Sequence, residues 1–167
     1  MTAPLRPGTV VLVGAGPGDP VLITVRGAEA LARAEVVVFD HLANERLLDL
    51  APASAIRICA GKSVGHCTMT QGQINAALAE NALAGRSVVR LKGGDPLVFG
   101  RGSEEAAYLR ERGIPFVIVP GVTAGVGATA FAGIPVTRRG TASAVAFVTG
   151  HQSPDVPESP NCSSRLD

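Results

Sequence analysis

Short, uncharged runs of β-branched residues recur along this chain, and each runs directly into a turn of glycine, proline or polar residues. The first is TVVLV (9–13), which ends in GAGPGDP. A run that is apolar at every position leaves no face for solvent, so as a strand it must be covered on both sides, as in a parallel sheet. The spacing predicts strands over 9–13, 36–39, 55–59, 87–91 and 115–119. Between them, apolar residues recur at helical intervals over 22–34, 44–50, 71–83, 103–112 and 123–132, with only Gly27 weakening the first of these segments. Strands that alternate with helices in this way give the α/β class: a five-stranded, mostly parallel sheet with helices on both faces.

Composition narrows the function classes. The 167 residues are 46% hydrophobic and 17% charged, which excludes disorder and requires a substantial core. Fifteen Lys+Arg against fourteen Asp+Glu leave a net charge of +1, too little to recruit a polyanion by bulk charge. With no Trp and 4% aromatics the chain also lacks stacking platforms, so nucleic acid is not an expected partner. Residues 114–137 carry no charge, long enough to raise a membrane span of about 20 residues. Three prolines and four glycines interrupt the stretch, which reads instead as strand, turn, buried helix and turn, and no membrane association is expected. The N-terminus lacks the shape of a signal peptide. Cys59, Cys67 and Cys162 are odd in number and have no C-x-x-C spacing, so neither a disulfide framework nor a zinc site is indicated, no metal is expected, and a cytoplasmic location fits. The first domain is expected over 1–138. The start of a second, truncated α/β domain is expected over 139–151, after the basic turn at Arg138–Arg139 and with a sixth strand over 144–149, followed by a disordered Ser/Pro-rich tail over 152–167.

In parallel sheets ligands collect beyond the carboxyl ends of the strands. Four of the loops expected there are GAGPGDP, DHL, KGGDP and PGVTAG. The first imitates a dinucleotide-binding turn, with Asp40 as the acid at the end of the next strand. Asp19, however, stands where the third glycine belongs, and Pro17 removes a backbone donor. Gly61-Lys62-Ser63 imitates the end of a P-loop, but Ile56 occupies the place of its first glycine. In KGGDP, Gly93 and Gly94 allow close backbone approach to a ligand, and Asp95 supplies an acceptor suited to ribose hydroxyls or an ammonium group, although the segment also suits a plain tight turn. Thr123 stands at an expected helix N-terminus, as a ligand hydroxyl or only a cap. Asp40 equally suits a cap for the next helix, Lys62 a solvated loop lysine and His66 a surface histidine. Convergence on one sheet edge favours a site over these separate readings.

The blocks GAGPGDPVLITVRGAEAL, VVVFDHL, GKSVGH, VVRLKGGDPLVFGRGSEE, IPFVIVPGVTAGVGATAFAGIPVTRR and VTGH together resemble the tetrapyrrole methylase family, in its uroporphyrinogen-III C-methyltransferase branch, from about Val10 to His151. The resemblance implies a two-domain enzyme, usually a homodimer, that transfers methyl groups from S-adenosylmethionine to two pyrrole carbons of uroporphyrinogen III, giving precorrin-2 for sirohaem and cobalamin synthesis. It further implies Asp40 as proton acceptor, Lys62 as proton donor, and Pro17, Gly93, Gly94, Asp95, Val98, Thr123 and Ala124 as contacts of S-adenosylmethionine. Two departures stand out: Thr70 replaces a common proline, and the family continues well beyond VTGH, where this chain turns Ser/Pro-rich. With one wall of the cleft missing, the expectation is weak cofactor binding and little activity, and a catalytically inactive or dimerisation module is the alternative. A nicotinamide oxidoreductase is the remaining rival. The many carboxylates of the implied substrate make Lys62, Arg101, Arg138 and Arg139 candidate clamps.

Overall fold

The computed structural model describes residues 6–61 and 69–149, and the chain divides into two compact units, Met1–Val136 and Thr137–Asp167. In the first unit five strands, β1 (Val10–Gly14), β2 (Val36–Phe39), β3 (Ile56–Cys59), β4 (Val88–Lys92) and β5 (Phe116–Val119), form one sheet in the order β3-β2-β4-β1-β5. Every pairing is parallel, with Val10 opposite Val88 on one side and Phe116 on the other. The three inner strands are buried along their whole length, which is why their sequences are apolar at nearly every position. The edge strands β3 and β5 are partly exposed.

Alternate residues of the inner strands divide between two cores. Val11, Val13, Val37, Val89 and Leu91 pack under α1 (Val25–Leu31) and a 3-10 helix over Glu45–Leu50. Val10, Leu12, Val36, Val38 and Val88 pack under α2 (Gln71–Leu83) and α3 (Gly102–Glu111). A fourth helix, α4 (Ala124–Phe131), follows β5. Fully burying a side chain such as Leu12, Leu78 or Leu109 contributes about 1.5–3 kcal/mol, so the two cores are what hold the sheet in place. Helix α2 starts where a capping box forms: Thr70 Oγ1 accepts from Gln73 N–H (3.2 Å), and Gln73 Oε1 accepts from Thr70 N–H (2.8 Å). Thus the residue that departs from the family pattern, Thr70, begins a helix.

Two helical expectations are corrected. Residues 22–34 do not form one helix, because Asp19 caps a short 3-10 turn at Pro20–Leu22 through a bond from Val21 N–H (3.1 Å), and Ile23 and Thr24 are then extended. Only at Thr24, whose Oγ1 accepts from Gly27 N–H (3.1 Å), does α1 begin. The segment 44–50 is 3-10 rather than α-helical, and Asn44 caps it.

In the second unit Arg138 and Ala142 bridge across a turn at Gly140, which has a φ of +76°. The sixth strand expected over 144–149 is not formed. A strand exists through its partner, and every ladder among the described residues belongs to β1–β5. Residues 62–68 and the expected tail over 152–167, with Lys62, His66, Cys67 and Cys162, lie outside the described residues. Among those described, no helix is long and apolar enough to cross a membrane.

Candidate functional site

The strand order decides where the sheet opens. β4 leads into α3 on one face, whereas its neighbours β1 and β2 lead to α1 and the 45–50 helix on the other, so the loops part around the carboxyl end of β4. There the loops after β1 and β4 are joined, Gly94 N–H donating to the Gly16 carbonyl (2.8 Å) and Gly16 N–H to the Gly94 carbonyl (3.2 Å). The loop after β5 closes on both. A Cβ at Gly121 would overlap the Gly94 carbonyl, and one at Gly14 would lie 2.5 Å from Gly121 N. The loop after β2 reaches the same place, since a Cβ at Gly93 would lie 2.5 Å from that of Leu42, and Asn44 Nδ2 donates to the Gly18 carbonyl (2.8 Å).

Glycine therefore serves here mainly to let loops touch one another, which refines the expectation that it opens the backbone to a ligand. Gly94 and Gly18 are exceptions: at φ +63° the Cβ position of Gly94 lies in ordinary contact with Ala124 N (3.7 Å) and Thr123 Cα (3.8 Å), and at φ +126° that of Gly18 meets nothing within 4 Å. Asp95 is likewise an organiser. Its Oδ1 accepts from Leu97 N–H (2.8 Å) and its Oδ2 from Gly121 N–H (3.0 Å), which ties the loop after β4 to the loop after β5. Val98 N–H donates to the Asp95 carbonyl (3.4 Å). Thr123 occupies the N-cap position of α4, but its side chain makes no capping bond, so the hydroxyl is not consumed by the helix. Pro17 packs against α4, where a Cβ at Gly127 would meet its ring at 2.5 Å.

Asp40, at the end of β2, does not cap the next helix. Its Oδ1 accepts from Leu42 N–H (3.1 Å) and its Oδ2 pairs with Arg90 Nη2 (3.1 Å), while 23% of the side chain remains exposed. Behind it lies a buried charge network that the sequence reading missed. Arg90 Nε and Lys92 Nζ both reach Glu105 Oε1, at 3.2 and 2.9 Å, and these three side chains are 0–4% exposed. Burial, and secondarily the Arg90 charge, pushes the Lys92 ammonium below its ordinary range. The missed signal was in VVRLK itself: Arg90 and Lys92, two residues apart, share one face of a strand with no solvent face, so each needed a buried acid.

The structure thus brings Pro17, Asp40, Gly93, Gly94, Asp95, Val98, Thr123 and Ala124 to one edge of the sheet. Arg101 is engaged elsewhere, in a two-point pair with Glu104 at 2.8 and 2.7 Å, and Arg138 and Arg139 belong to the second unit. What the edge offers is a set of backbone polar groups, the leading amides of α4, one hydroxyl, and a partly exposed carboxylate with buried cations behind it. That combination suits a polar ligand laid along the loops and a proton taken at one fixed point.

A family model described as Tetrapyrrole (Corrin/Porphyrin) Methylases matches residues 9–161. The chain belongs to this family. Among tetrapyrrole methylase relatives, siroheme synthase 1 of Klebsiella pneumoniae is 53% identical over 148 residues, which are 89% of this chain and 31% of that protein. Uroporphyrin-III-C-methyltransferase from Thermus thermophilus superposes with a TM-score of 0.70 at 47% identity, covering 80% of this chain and 56% of the other. The same enzyme complexed with S-adenyl homocysteine gives 0.66 at 44% identity, covering 81% and 53%. The chain spans about a third of the length of the siroheme synthases it matches.

Proposed function

We propose that the sheet edge binds S-adenosylmethionine and that the chain serves C-methylation of uroporphyrinogen III to precorrin-2. The observation that carries this reading is the convergence of the loops after β1, β4 and β5 beside Asp40, in a chain 44% identical to an enzyme solved with S-adenyl homocysteine. The residues present fit such a ligand: the Thr123 hydroxyl is not used as a cap, and the amides of Ala124 and Gly125 precede the first bond within α4, from Val126 N–H to the Thr123 carbonyl. S-adenosylmethionine supplies an already activated methyl on its sulfonium. Pro17, Gly93, Gly94, Asp95, Val98, Thr123 and Ala124 hold and orient it, which is catalysis by positioning. Asp40 takes the proton released from the alkylated pyrrole carbon, and Lys62 returns a proton; both assignments rest on family resemblance. Arg101 is offered to a substrate carboxylate, for which it must leave Glu104. The reading extends to a cytoplasmic homodimer whose product serves sirohaem synthesis, as the names of the siroheme synthase relatives suggest, and cobalamin synthesis.

Asp40→Asn keeps the shape of the side chain and removes the base. Transfer of labelled methyl to uroporphyrinogen III should fall at least about a hundredfold, the usual worth of a general base, while S-adenosylhomocysteine binding stays as in the wild type. Unchanged transfer would remove Asp40 from the mechanism.

A further inference from the structure

Glu105, on α3, is 0% exposed, and its carboxylate is used asymmetrically. Oε1 accepts from three donors, Lys92 Nζ (2.9 Å), Arg90 Nε (3.2 Å) and Gln71 Nε2 (3.3 Å), whereas the buried Oε2 has no partner among the described residues. Such an arrangement is a poor source of stability. Buried ion groups can commonly be replaced by apolar residues of like volume without loss, and an orphaned acceptor is a cost. It is, however, an effective way to fix a direction. With Nε on Glu105 and Nη1 donating to the carbonyls of Leu91 (2.9 Å) and Val38 (3.4 Å), the Arg90 guanidinium can present only its Nη2 edge to Asp40. The Leu42 N–H bond to Asp40 Oδ1 then fixes the carboxylate at its second oxygen.

We propose that Glu105 is a positioning residue of the methylation site, acting through Arg90 to set the orientation of the Asp40 carboxylate. Its consequence for turnover rests on the reading of Asp40 as proton acceptor, but the positioning is a property of this chain's own packing. Glu105 comes from α3 and Gln71 from the start of α2, so two helices on the far face of the sheet hold a group that works at its edge.

Nuclear magnetic resonance of the full chain tests this, with ¹⁵N in the arginine side chains and ¹³C in the aspartate carboxyls. In the wild type, Arg90 Nε–H should exchange slowly with water. Glu105→Gln should speed that exchange by about tenfold or more, the factor matching loss of one charge-assisted hydrogen bond, and move the Asp40 carboxyl signal towards its position in Arg90→Met. The Asp95 signal, held only by backbone amides, should stay in place. An unmoved Asp40 signal, or an Asp95 signal displaced as far as that of Asp40, would overturn the proposal, the second by showing general loosening. If Glu105→Gln does not fold, Glu105→Asp carries the same test, because it keeps the charge and shortens the reach by one methylene: a displaced Asp40 signal supports the proposal and an unmoved one overturns it. Full methyl transfer by Asp40→Asn would sink the reading of Asp40 as base and leave the resonance result standing, so the two failures are distinguishable.

Discussion

Glu35 stands just before β2, exposed, and its Oε2 accepts from both the N–H and the hydroxyl of Ser87, each at 2.8 Å. These bonds, the backbone one foremost, hold its carboxyl below the ordinary 4.5. A folded value below the unfolded one means that the stabilisation is complete above the ordinary value and is lost as pH falls through the folded one. Glu35→Gln should therefore lower Tm at neutral pH, with the gap to wild type closing on acidification, and Tm measured across the acid range checks this. Lys92 runs the other way. Burial and Arg90 depress its value, so the fold disfavours its cation, and stability should rise as pH climbs through the folded value towards 10.5. Lys92→Met should lose that alkaline rise, seen in urea midpoints taken at increasing pH. At this scale the sequence was only partly legible: Asp40 stood out because it ends an apolar run and Asp95 because it follows the Gly93-Gly94 pair, whereas Glu105 lies in an ordinary-looking helix and gains its meaning only from Arg90 and Lys92 across the core.

Elements were legible where local pattern and burial coincide. β1 and β2 read directly because both of their faces are apolar, and β4 read as a strand from Val88, Val89 and Leu91 although Arg90 and Lys92 share one of its faces. The 22–34 segment misled because Leu22 and Val25 fall at helical spacing although Ile23 and Thr24 between them are extended after the Pro20–Leu22 turn. The sixth strand misled because β-branched residues mark a strand only when a partner is present. Gly27 looked like a flaw in α1, but it is what lets the helix sit on the sheet, since a Cβ there would lie 2.9 Å from Val13 Cγ1. Gly27→Ala gains about 1 kcal/mol of helix propensity yet overpacks a core at a cost of about 1–3 kcal/mol. The expected result is a net loss of about 1 kcal/mol, read from the denaturant midpoint. A stabilised variant would show that α1 can move away from β1.

For the molecule as a whole, alternation alone put four chemically distinctive loops at the carboxyl edge of the sheet, and the order β3-β2-β4-β1-β5, which the sequence did not show, gathers them around the end of β4. The contacts between those loops were not legible either, because they join backbone atoms of residues far apart in sequence. The proposed ligand of this edge is S-adenosylmethionine, and Gly121 is the position at which three loops meet. The most direct measurement is calorimetric titration of the chain with S-adenosylhomocysteine, beside NADH and beside Gly121→Ala, whose added Cβ would strike the backbone of Gly94 and Gly14. The methylase reading predicts saturable binding of S-adenosylhomocysteine, no heat with NADH, and an affinity at least about tenfold lower in Gly121→Ala, the worth of about one good hydrogen bond. Saturable binding of NADH with none of S-adenosylhomocysteine would contradict it.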